Sequence, residues 1–237
     1  MTEGPGGAAG RPFIVAIDGP AGAGKSSVSK LLARRLGFSL VDTGAIYRCV
    51  ALTAKRRGVG FEDDAGLEAL LEDVHVRFEI AGDENRVFLD GEDVSAEIRA
   101  PEISMGASKV SSRPVVRQGL LALQRRLALE SPRGAVLEGR DIGTVVFPDA
   151  DVKFFLHADP AVRARRRYEE LLHKGVEASL EGVLADQSQR DRADASREVA
   201  PLKPAPDAIR VDASSLPLVE VVEALERRIR DRLAHRP

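Results

Sequence analysis

The sequence predicts an α/β protein in which a five-stranded parallel sheet carries helices on both faces. Three observations lead to this fold class. Short uninterrupted apolar runs alternate with longer segments of helical periodicity, as in sheets whose strands are joined by crossover helices. A glycine-rich turn separates the first apolar run from the first helix. Between residues 60 and 115 the pattern changes to alternating apolar and polar residues, which predicts a small antiparallel sheet in an insert.

The first half of the parallel core is predicted to contain two strands and two helices. A continuous apolar run is typical of a strand buried on both faces, and a glycine after the last apolar residue of a helix favours its end. The predicted elements are a strand at Phe13–Ile17, a helix that ends at Gly37, a strand at Phe38–Val41 and a helix at Ala45–Arg57 before Gly58.

The insert, residues 60–115, is predicted to begin with a short helix that carries three leucines between residues 67 and 71. Two alternating stretches follow, at residues 74–80 and 86–89, and a polar connector that contains Gly82 joins them. Alternation on both sides of such a connector predicts an antiparallel hairpin with one solvated face.

The second half of the core resumes the alternation of strands and helices. The predicted elements are a leucine-rich helix over residues 120–129, strands at Ala135–Leu137 and Val152–Leu156, a helix that begins near Asp159 and Pro160, a helix at Leu180–Asp194, a strand at Ala208–Val211 and a closing helix at Pro217–Leu233. The core is therefore expected to comprise residues 12–59 and 116–237.

Composition excludes several classes of protein. The 35 basic and 37 acidic side chains leave a formal charge of -2, which argues against a general binder of nucleic-acid polymers or membrane surfaces. The single cysteine, Cys49, cannot form an intramolecular disulfide. Residues 1–11 are interpreted as a disordered tail, and no apolar run reaches the roughly 18 residues of a membrane-spanning helix. We expect a cytoplasmic protein and favour a monomer.

A glycine-rich segment predicts a nucleoside triphosphate site. Residues 19–26 read GPAGAGKS and match the P-loop pattern G-x-x-x-x-G-K-[ST], with a buried strand before it and an amphipathic helix after it. Glycines allow backbone N–H groups to converge on a phosphate, and the helix N-terminus adds its positive end. Lys25 is then expected to contact the β- and γ-phosphates of ATP, and Ser26 to be a ligand of Mg²⁺. The flanking strand and helix disfavour a flexible turn with a solvated lysine.

The rest of the sequence argues against two classes of P-loop protein. A GTPase needs an Asn-Lys-x-Asp segment, but the only asparagine, Asn85, is followed by Arg86. A hydrolytic ATPase usually has strand ends with acids that hold metal and activate water. The fourth predicted strand is followed by His157, and the third by residues 138–141, which read EGRD. We therefore expect a second site organised around arginines rather than around a hydrolytic water.

Arginines occur where predicted elements end, and pockets of parallel sheets form at these ends. They are Arg48, Arg117, Arg140, a group at Arg163, Arg166 and Arg167, and the pair Arg190 and Arg197 on either side of Asp194. Guanidinium groups suit phosphate oxygens because several N–H groups lie in one plane. For the group of three, a solvated helix face is the alternative interpretation.

Five stretches together resemble the bacterial cytidylate kinases, a family of nucleoside monophosphate kinases. They are residues 17–26 (IDGPAGAGKS), 42–48 (DTGAIYR), 92–94 (EDV), 138–148 (EGRDIGTVVFP) and the region from Arg190-Asp191 to residues 199–202 (VAPL). The resemblance implies a P-loop NTPase three-layer fold with an inserted monophosphate-binding segment. It also implies transfer of the γ-phosphoryl group of ATP to CMP or dCMP, giving ADP and CDP or dCDP, in pyrimidine nucleotide metabolism.

The resemblance implies roles for individual residues. Thr43, Arg48 and Arg140 would bind the CMP phosphate, Ser108, Arg117 and Asp141 the cytosine, Arg190 and Asp194 the sugar, and Arg197 the phosphates. We add Tyr47, whose ring either lines this pocket or packs in the core. The expected ATP-binding residues are Gly19, Pro20, Ala21, Gly22, Ala23, Gly24, Lys25, Ser26, Ser27, Arg163 and Arg167, and the expected catalytic residues are Lys25, Arg48, Arg140, Arg190 and Arg197.

Transfer to a monophosphate needs no strong general base, because the acceptor oxygen is already anionic at pH 7. Catalysis then consists of in-line positioning and charge neutralisation by Lys25, Mg²⁺ and the arginines. The reaction also requires that water be excluded from the γ-phosphate, and residues 174–197 are the predicted lid.

Two other functions remain open from the sequence. A small-molecule alcohol kinase of the same fold would use an acid at the end of the second strand, Asp42, as its base, whereas an N-cap role would give Asp42 no part in the chemistry. A non-catalytic nucleotide-binding module would explain the P-loop, but it would not need a second anion site.

Overall fold

The computed structural model describes residues 11–82, 84–173 and 175–236. Its first elements are β1 (Phe13–Asp18), α1 (Lys25–Leu36), β2 (Ser39–Asp42), α2 (Thr43–Arg57), α3 (Asp64–Leu71), β3 (Val76–Ala81), β4 (Glu84–Leu89), β5 (Glu92–Asp93) and α4 (Pro101–Val110). The chain continues with α5 (Pro114–Leu129), β6 (Gly134–Gly139), a π-helical turn (Ile142–Val146), β7 (Val152–His157), α6 (Pro160–His173), α7 (Leu180–Ala195), β8 (Ile209–Asp212) and α8 (Leu218–Ala234).

The main sheet has five strands in the order β2-β6-β1-β7-β8, and all of its strand pairs are parallel. The predicted five-stranded parallel sheet is confirmed. β1 lies in the middle and every one of its residues is buried, which explains its continuous apolar run. Because the strands are parallel, their carboxyl ends meet at one edge, where Asp18, Asp42 and Gly139 end their strands.

Two apolar clusters cover the opposite faces of the sheet. Successive side chains of β1 point alternately into these two clusters. Ile14 and Ala16 belong to the cluster on the face covered by α2 and α5. Phe13, Val15 and Ile17 pack against the face covered by α1 and α8. The predicted placement of helices on both faces is confirmed, and it follows from the period of two along a strand.

Caps fix the ends of the helices near the site. Gly37 and Gly58 have φ angles of 65° and 68° at the C-caps of α1 and α2, as predicted from the sequence. α2 begins at Thr43, two residues before its predicted start, because the Asp42 carboxylate accepts a hydrogen bond of 2.9 Å from the Ala45 N–H.

The insert contains the predicted antiparallel hairpin, with β3 and β4 paired from Val76 opposite Leu89 to Ala81 opposite Glu84. In the described part of the insert, three elements were not predicted: β5, a 3₁₀ turn at Glu97–Arg99 and α4. β5 is too short to show alternation, and α4 has a mixed sequence in which Gly106 packs closely on Phe61. The insert shares the apolar cluster of α2 and α5 rather than having a core of its own.

Some predictions fall on residues that the structure does not describe. They concern residues 1–10 of the predicted tail, Asp83 in the hairpin connector, and Lys174 at the start of the predicted lid. The tail's last residue, Arg11, is described, and its guanidinium donates a 2.7 Å hydrogen bond to the Asp149 carbonyl. In the described ranges, no helix combines the length and apolarity that crossing a membrane requires.

Candidate active site

The predicted site residues are distributed over six helices and the loops beside them. The structure places residues 19–24 between β1 and α1; Lys25, Ser26 and Ser27 in the first turn of α1; Thr43, Tyr47 and Arg48 on α2; Ser108 on α4; Arg117 on α5; Arg140 and Asp141 after β6; Arg163 and Arg167 on α6; Arg190 and Asp194 on α7; and Arg197 just after α7. Most of them converge at the carboxyl edge of the main sheet, whereas Arg167 remains at the surface.

The P-loop follows β1 closely because its glycines permit conformations closed to other residues. Gly19 has a φ of 149°, and a Cβ atom there would lie 1.9 Å from the Leu156 carbonyl oxygen on β7. Gly24, with a φ of 92°, caps α1 in the left-handed region. The loop therefore leads directly from β1 into the helix, so that the first N–H groups of α1 face the crevice.

Lys25 is enclosed at the start of α1 and is 6% exposed. Its ammonium donates a 2.7 Å hydrogen bond to the Pro20 carbonyl within the P-loop. Burial, and next the positive charge of Arg140, lower the pKa of Lys25, while Glu138 and Asp18 act in the opposite direction. An anion that enters the loop would therefore stabilise the charged form of the buried Lys25 ammonium.

Two acids, Glu138 and Asp18, lie beside the P-loop, and sequence reasoning gave them no role. Glu138 is the penultimate residue of β6 and accepts a 2.8 Å hydrogen bond from the Ser26 hydroxyl, and burial together with the charge of Asp42 raises its pKa. Asp18 ends β1 and accepts hydrogen bonds of 2.8 and 2.7 Å from the N–H groups of Ile142 and Gly143. Burial raises the pKa of Asp18 to about 6 despite these bonds.

Asp42 and Arg48 form the wall of the crevice on the α2 side. One carboxylate oxygen of Asp42 caps α2. The other accepts a 2.8 Å hydrogen bond from the Arg48 guanidinium and so forms an ion pair with it. The Nε of Arg48 is buried and has no acceptor within the described residues. Both residues line a cavity of about 260 Å³ together with Ser26 and Glu138, and residues of the insert that include Asn85 and Arg99 also line it.

A buried charge pair lies beyond this cavity, between α5 and the turn after β6. The Arg117 guanidinium donates a 2.5 Å bond to Asp141 and a 3.0 Å bond to the Ser111 carbonyl. It lies 5.5 Å from the ring centroid of Tyr47, and burial raises the pKa of the Tyr47 hydroxyl. Ser108, half-buried on α4, adjoins this group because its carbonyl accepts a bond from the Ser111 hydroxyl.

The end of α7 brings a carboxylate between two arginines. Asp194, 2% exposed, accepts a 2.8 Å bond from Arg140 Nε and a second bond from Arg197. Burial alone would raise its pKa, but the two guanidinium charges outweigh burial and hold the pKa of Asp194 below its ordinary value. Arg190, one turn earlier on α7, has an exposed surface, but many protein atoms surround its guanidinium; their desolvation of the charge, and next the charge of Arg140, lower the pKa of Arg190.

Two predicted ATP-binding arginines on α6 differ in their surroundings. Arg163 is 4% exposed, and its guanidinium contacts the carbonyls of Ala158 and Ala21 and the carboxylate of Asp191. Arg167 pairs with Glu170 on the same helix and keeps 42% of its side chain exposed. The structure therefore brings Arg163, but not Arg167, against the P-loop.

Comparison with known proteins shows the family. The profile of the cytidylate kinase family matches residues 15–231, from β1 into α8. The chain belongs to the cytidylate kinase family. It is 54% identical to the cytidylate kinase of Geobacter sp. (strain M21) over 93% of this chain and 94% of the relative, and 52% identical to that of Geobacter sulfurreducens over 94% of both. The cytidylate kinase of Vibrio cholerae is 48% identical over 89% of this chain and 92% of its own length.

The roles of Glu138 and Asp18 depend on strand register, which explains why the sequence did not reveal them. β6 lies next to β1, with Glu138 opposite Ile17 and Gly139 opposite Asp18. The signal available in the sequence was only that each acid ends an apolar strand next to a motif already assigned to phosphates.

Proposed function

We propose that this protein transfers the γ-phosphoryl group of ATP to CMP or dCMP, giving ADP and CDP or dCDP. The observation that carries the proposal is that the start of α1, which follows the P-loop, and Arg48 of α2 line one cavity, with the charge of Arg140 acting on Lys25 beside it. Lys25 of the P-loop is close enough to Arg140 for their charges to interact, and Ser26 shares a cavity with Arg48. Two anion sites suit two nucleotides, and membership of the cytidylate kinase family supports cytidine monophosphate as the acceptor.

On the donor side, the P-loop backbone, Lys25 and Ser27 would hold the triphosphate of ATP. Apart from Pro20, which has no N–H group, residues 19–26 would supply backbone donors that need little reorganisation when the nucleotide binds. Lys25 would exchange its bond to the Pro20 carbonyl for the β- and γ-phosphates. Arg167, exposed on α6, is a candidate for contacts to the outer part of ATP.

The residues beside the P-loop fit a magnesium ion bound with ATP. Ser26 and the carboxylate of Glu138 supply hard oxygen ligands, either directly or through water, and the second carboxylate, that of Asp18, lies close by. Burial raises the pKa of both acids, and a bound cation would offset the cost of burying their negative charge. When bound, the ion would neutralise charge on the β- and γ-phosphates. Glu138, which accepts a hydrogen bond from the Ser26 hydroxyl, would orient that hydroxyl.

On the acceptor side, Arg48, Arg140 and Thr43 would bind the monophosphate. The Nε of Arg48 is a buried donor without an acceptor in the described residues, and a phosphate oxygen would satisfy it. The pair of Arg117 and Asp141, with Tyr47 and Ser108 beside it, would recognise the cytosine edge. Arg190 and Asp194 would contact the sugar, and Arg197 the phosphates.

The transfer step then requires position and charge rather than proton removal. The acceptor oxygen of CMP is already anionic, so that an in-line approach to the γ-phosphate is limited by repulsion between the two anions. Lys25, Arg48, Arg140, Arg190 and Arg197 would spread and neutralise this charge in the transition state. α7, which carries Arg190 and Asp194 at the mouth of the crevice, would act as the lid that keeps water from the γ-phosphate.

The alcohol-kinase alternative is less well supported by the contacts of Asp42. Both Asp42 oxygens accept bonds, one from the Ala45 N–H and one from Arg48, so the carboxylate is held by the helix that it caps and by a guanidinium group. These contacts favour a structural role for Asp42, as a helix cap that also orients Arg48. We further infer that the protein works as a cytoplasmic monomer.

A coupled assay of ADP release with magnesium and ATP tests the function. We expect fast release with CMP and dCMP, slower release with UMP, and little with AMP or GMP. A preference for AMP or GMP would refute the assignment of the cytosine-binding residues. Release only with hydroxylated metabolites that carry no phosphate would refute the proposed function.

A further inference from the structure

Arg163 joins three separate parts of the molecule through its guanidinium group. Its Nε donates a 3.0 Å bond to the Ala158 carbonyl after β7, and one terminal nitrogen donates a 2.9 Å bond to the Ala21 carbonyl in the P-loop. The other terminal nitrogen forms a 2.7 Å ion pair with Asp191 on α7. All three nitrogens are therefore engaged by protein atoms, and the side chain is 5% exposed.

α7 also packs on the P-loop beside this ion pair. The Gln187 side chain donates a 3.4 Å bond to the Arg163 carbonyl. A Cβ atom on Gly22 of the P-loop would lie 2.9 Å from the Gln187 amide nitrogen and 3.2 Å from the Arg163 Cβ. Gly22, Arg163 and Gln187 thus pack directly against one another, so that α7 is in contact with the P-loop.

Asp191 is the anion that keeps Arg163 in this place. The two carbonyls that Arg163 contacts carry no net charge, so that the buried guanidinium depends on Asp191 for neutralisation. Arg167, four residues later, differs from Arg163. Both side chains of its ion pair with Glu170 are exposed, so this pair contributes little to the stability of the fold. Asp191 immediately follows Arg190 and precedes Asp194 by three residues. The ion pair of Asp191 with Arg163 therefore also fixes the part of α7 that carries Arg190 and Asp194.

We propose that Arg163 and Asp191 are a pair of positioning residues that couple the lid helix to the P-loop. Arg163 does not contact ATP in this account, in contrast to the prediction from the sequence. It holds the loop that carries Lys25 and the helix that carries Arg190 and Asp194 in one fixed relation, so that donor and acceptor charges are aligned together. The inference rests on the proposed phosphoryl transfer to CMP, because alignment matters only where both sites are used.

Loss of this pair has a specific kinetic consequence. A lid helix that is no longer tied to the loop admits water while the donor site itself remains intact. We therefore expect about a tenfold lower kcat with CMP, a KM for ATP within about twofold of the wild-type value, and a several-fold larger share of ATP lost to hydrolysis. A residue that served only global stability would lower the melting temperature without changing this share.

The experiment compares Arg163→Lys, Asp191→Asn, their double variant and Asp191→Glu, with Asp186→Asn as the control from an exposed position of α7. CDP and inorganic phosphate are measured together, and hydrogen exchange is followed in residues 19–26 and 187–195. We expect equal losses in the two single variants, no further loss in the double variant, partial recovery in Asp191→Glu and no effect in the control. Exchange should increase in both segments together.

Two outcomes would overturn the proposal. The first is a KM for ATP raised about tenfold or more in Arg163→Lys with Asp191→Asn unchanged, which would make Arg163 an ATP ligand. The second is faster exchange in only one of the two segments. If the wild-type protein itself failed to phosphorylate CMP, the proposed function would fall, while the exchange measurement would still decide whether loop and lid are coupled.

Discussion

The donor and acceptor sides of the crevice hold anions by different means. The P-loop is built from one continuous stretch, residues 19–26, and presents backbone N–H groups and one buried lysine. The acceptor side is built from side chains on α2, α5, α7 and the turn after β6. Its arginines are held by carboxylates: Asp42 for Arg48, and Asp194 for Arg140.

The difference shows how each side avoids the cost of gathered positive charge. Backbone N–H groups carry only partial charges, so the P-loop can converge on a phosphate without a counterion. Full guanidinium charges repel each other, and without a substrate they need anions between them. Substitutions on the donor side should therefore remove a contact to ATP, whereas those on the acceptor side should disturb an arrangement of several side chains. Four substitutions test this contrast, in order of expected effect.

Lys25→Met should give the largest loss, about 10³-fold in kcat, because it removes a charge that acts on the transferred group. Stability should be unchanged or higher, since the buried ammonium is poorly solvated in the folded protein. Initial rates and thermal melting measure both effects. Lys55→Met, at an exposed ion pair on α2, is the matched control. Activity within tenfold of wild type for Lys25→Met would contradict the donor-side account.

Asp194→Asn should lower kcat/KM for CMP by about 10²-fold, because breaking a buried ion pair leaves the charges of Arg140 and Arg197 uncompensated. The KM for ATP should change much less. Steady-state kinetics with each substrate varied in turn separates the two sides. Asp186→Asn on the exposed face of α7 is the control. Equal changes in both KM values would show that the two sides are not distinct in this way.

Asp141→Asn should lower kcat/KM for CMP by about tenfold, since Arg117 loses its buried charged acceptor and with it a fixed orientation. The preference for CMP over UMP should fall at the same time, as measured by the ratio of the two kcat/KM values. Asp64→Asn, which breaks an exposed pair with Arg113, is the matched control and should have no effect. An unchanged ratio in Asp141→Asn would refute its part in reading the base.

Asp42→Asn should have the smallest effect, with kcat within about threefold of wild type. Asparagine caps helices as well as aspartate does, and the lost pair with Arg48 is partly exposed. Initial rates with CMP and a thermal melt test this expectation. A loss of several orders of magnitude would instead support a general base at this position.

The sequence predicted what depends on neighbouring residues along the chain. The P-loop, the apolar strands and the glycine C-caps are local patterns, and the structure contains each of them. The convergence of Arg48 and Arg140 also followed, because parallel strands end at one edge of the sheet. The short strand β5 (Glu92–Asp93) could not be predicted from the sequence, because two residues are too few to show a periodicity.

What the sequence could not show depends on contacts between distant elements. Glu138 reaches Ser26 only because β6 pairs with β1 in one register, and no pattern within either strand encodes that register. The burial of Arg163 is a similar case. From the sequence it was one of three arginines on a helix face, and only the packing of α7 distinguishes it from Arg167.

The central claim is that charge neutralisation, without a proton acceptor from the protein, makes the transfer possible. The dependence of kcat/KM for CMP on pH, compared between the wild-type protein and Asp42→Asn, tests it most directly. We expect both proteins to show the same profile, with activity rising as the phosphate of CMP loses its second proton near pH 6. A rise in the wild-type profile that is missing from that of Asp42→Asn would assign a base to the enzyme and contradict the claim.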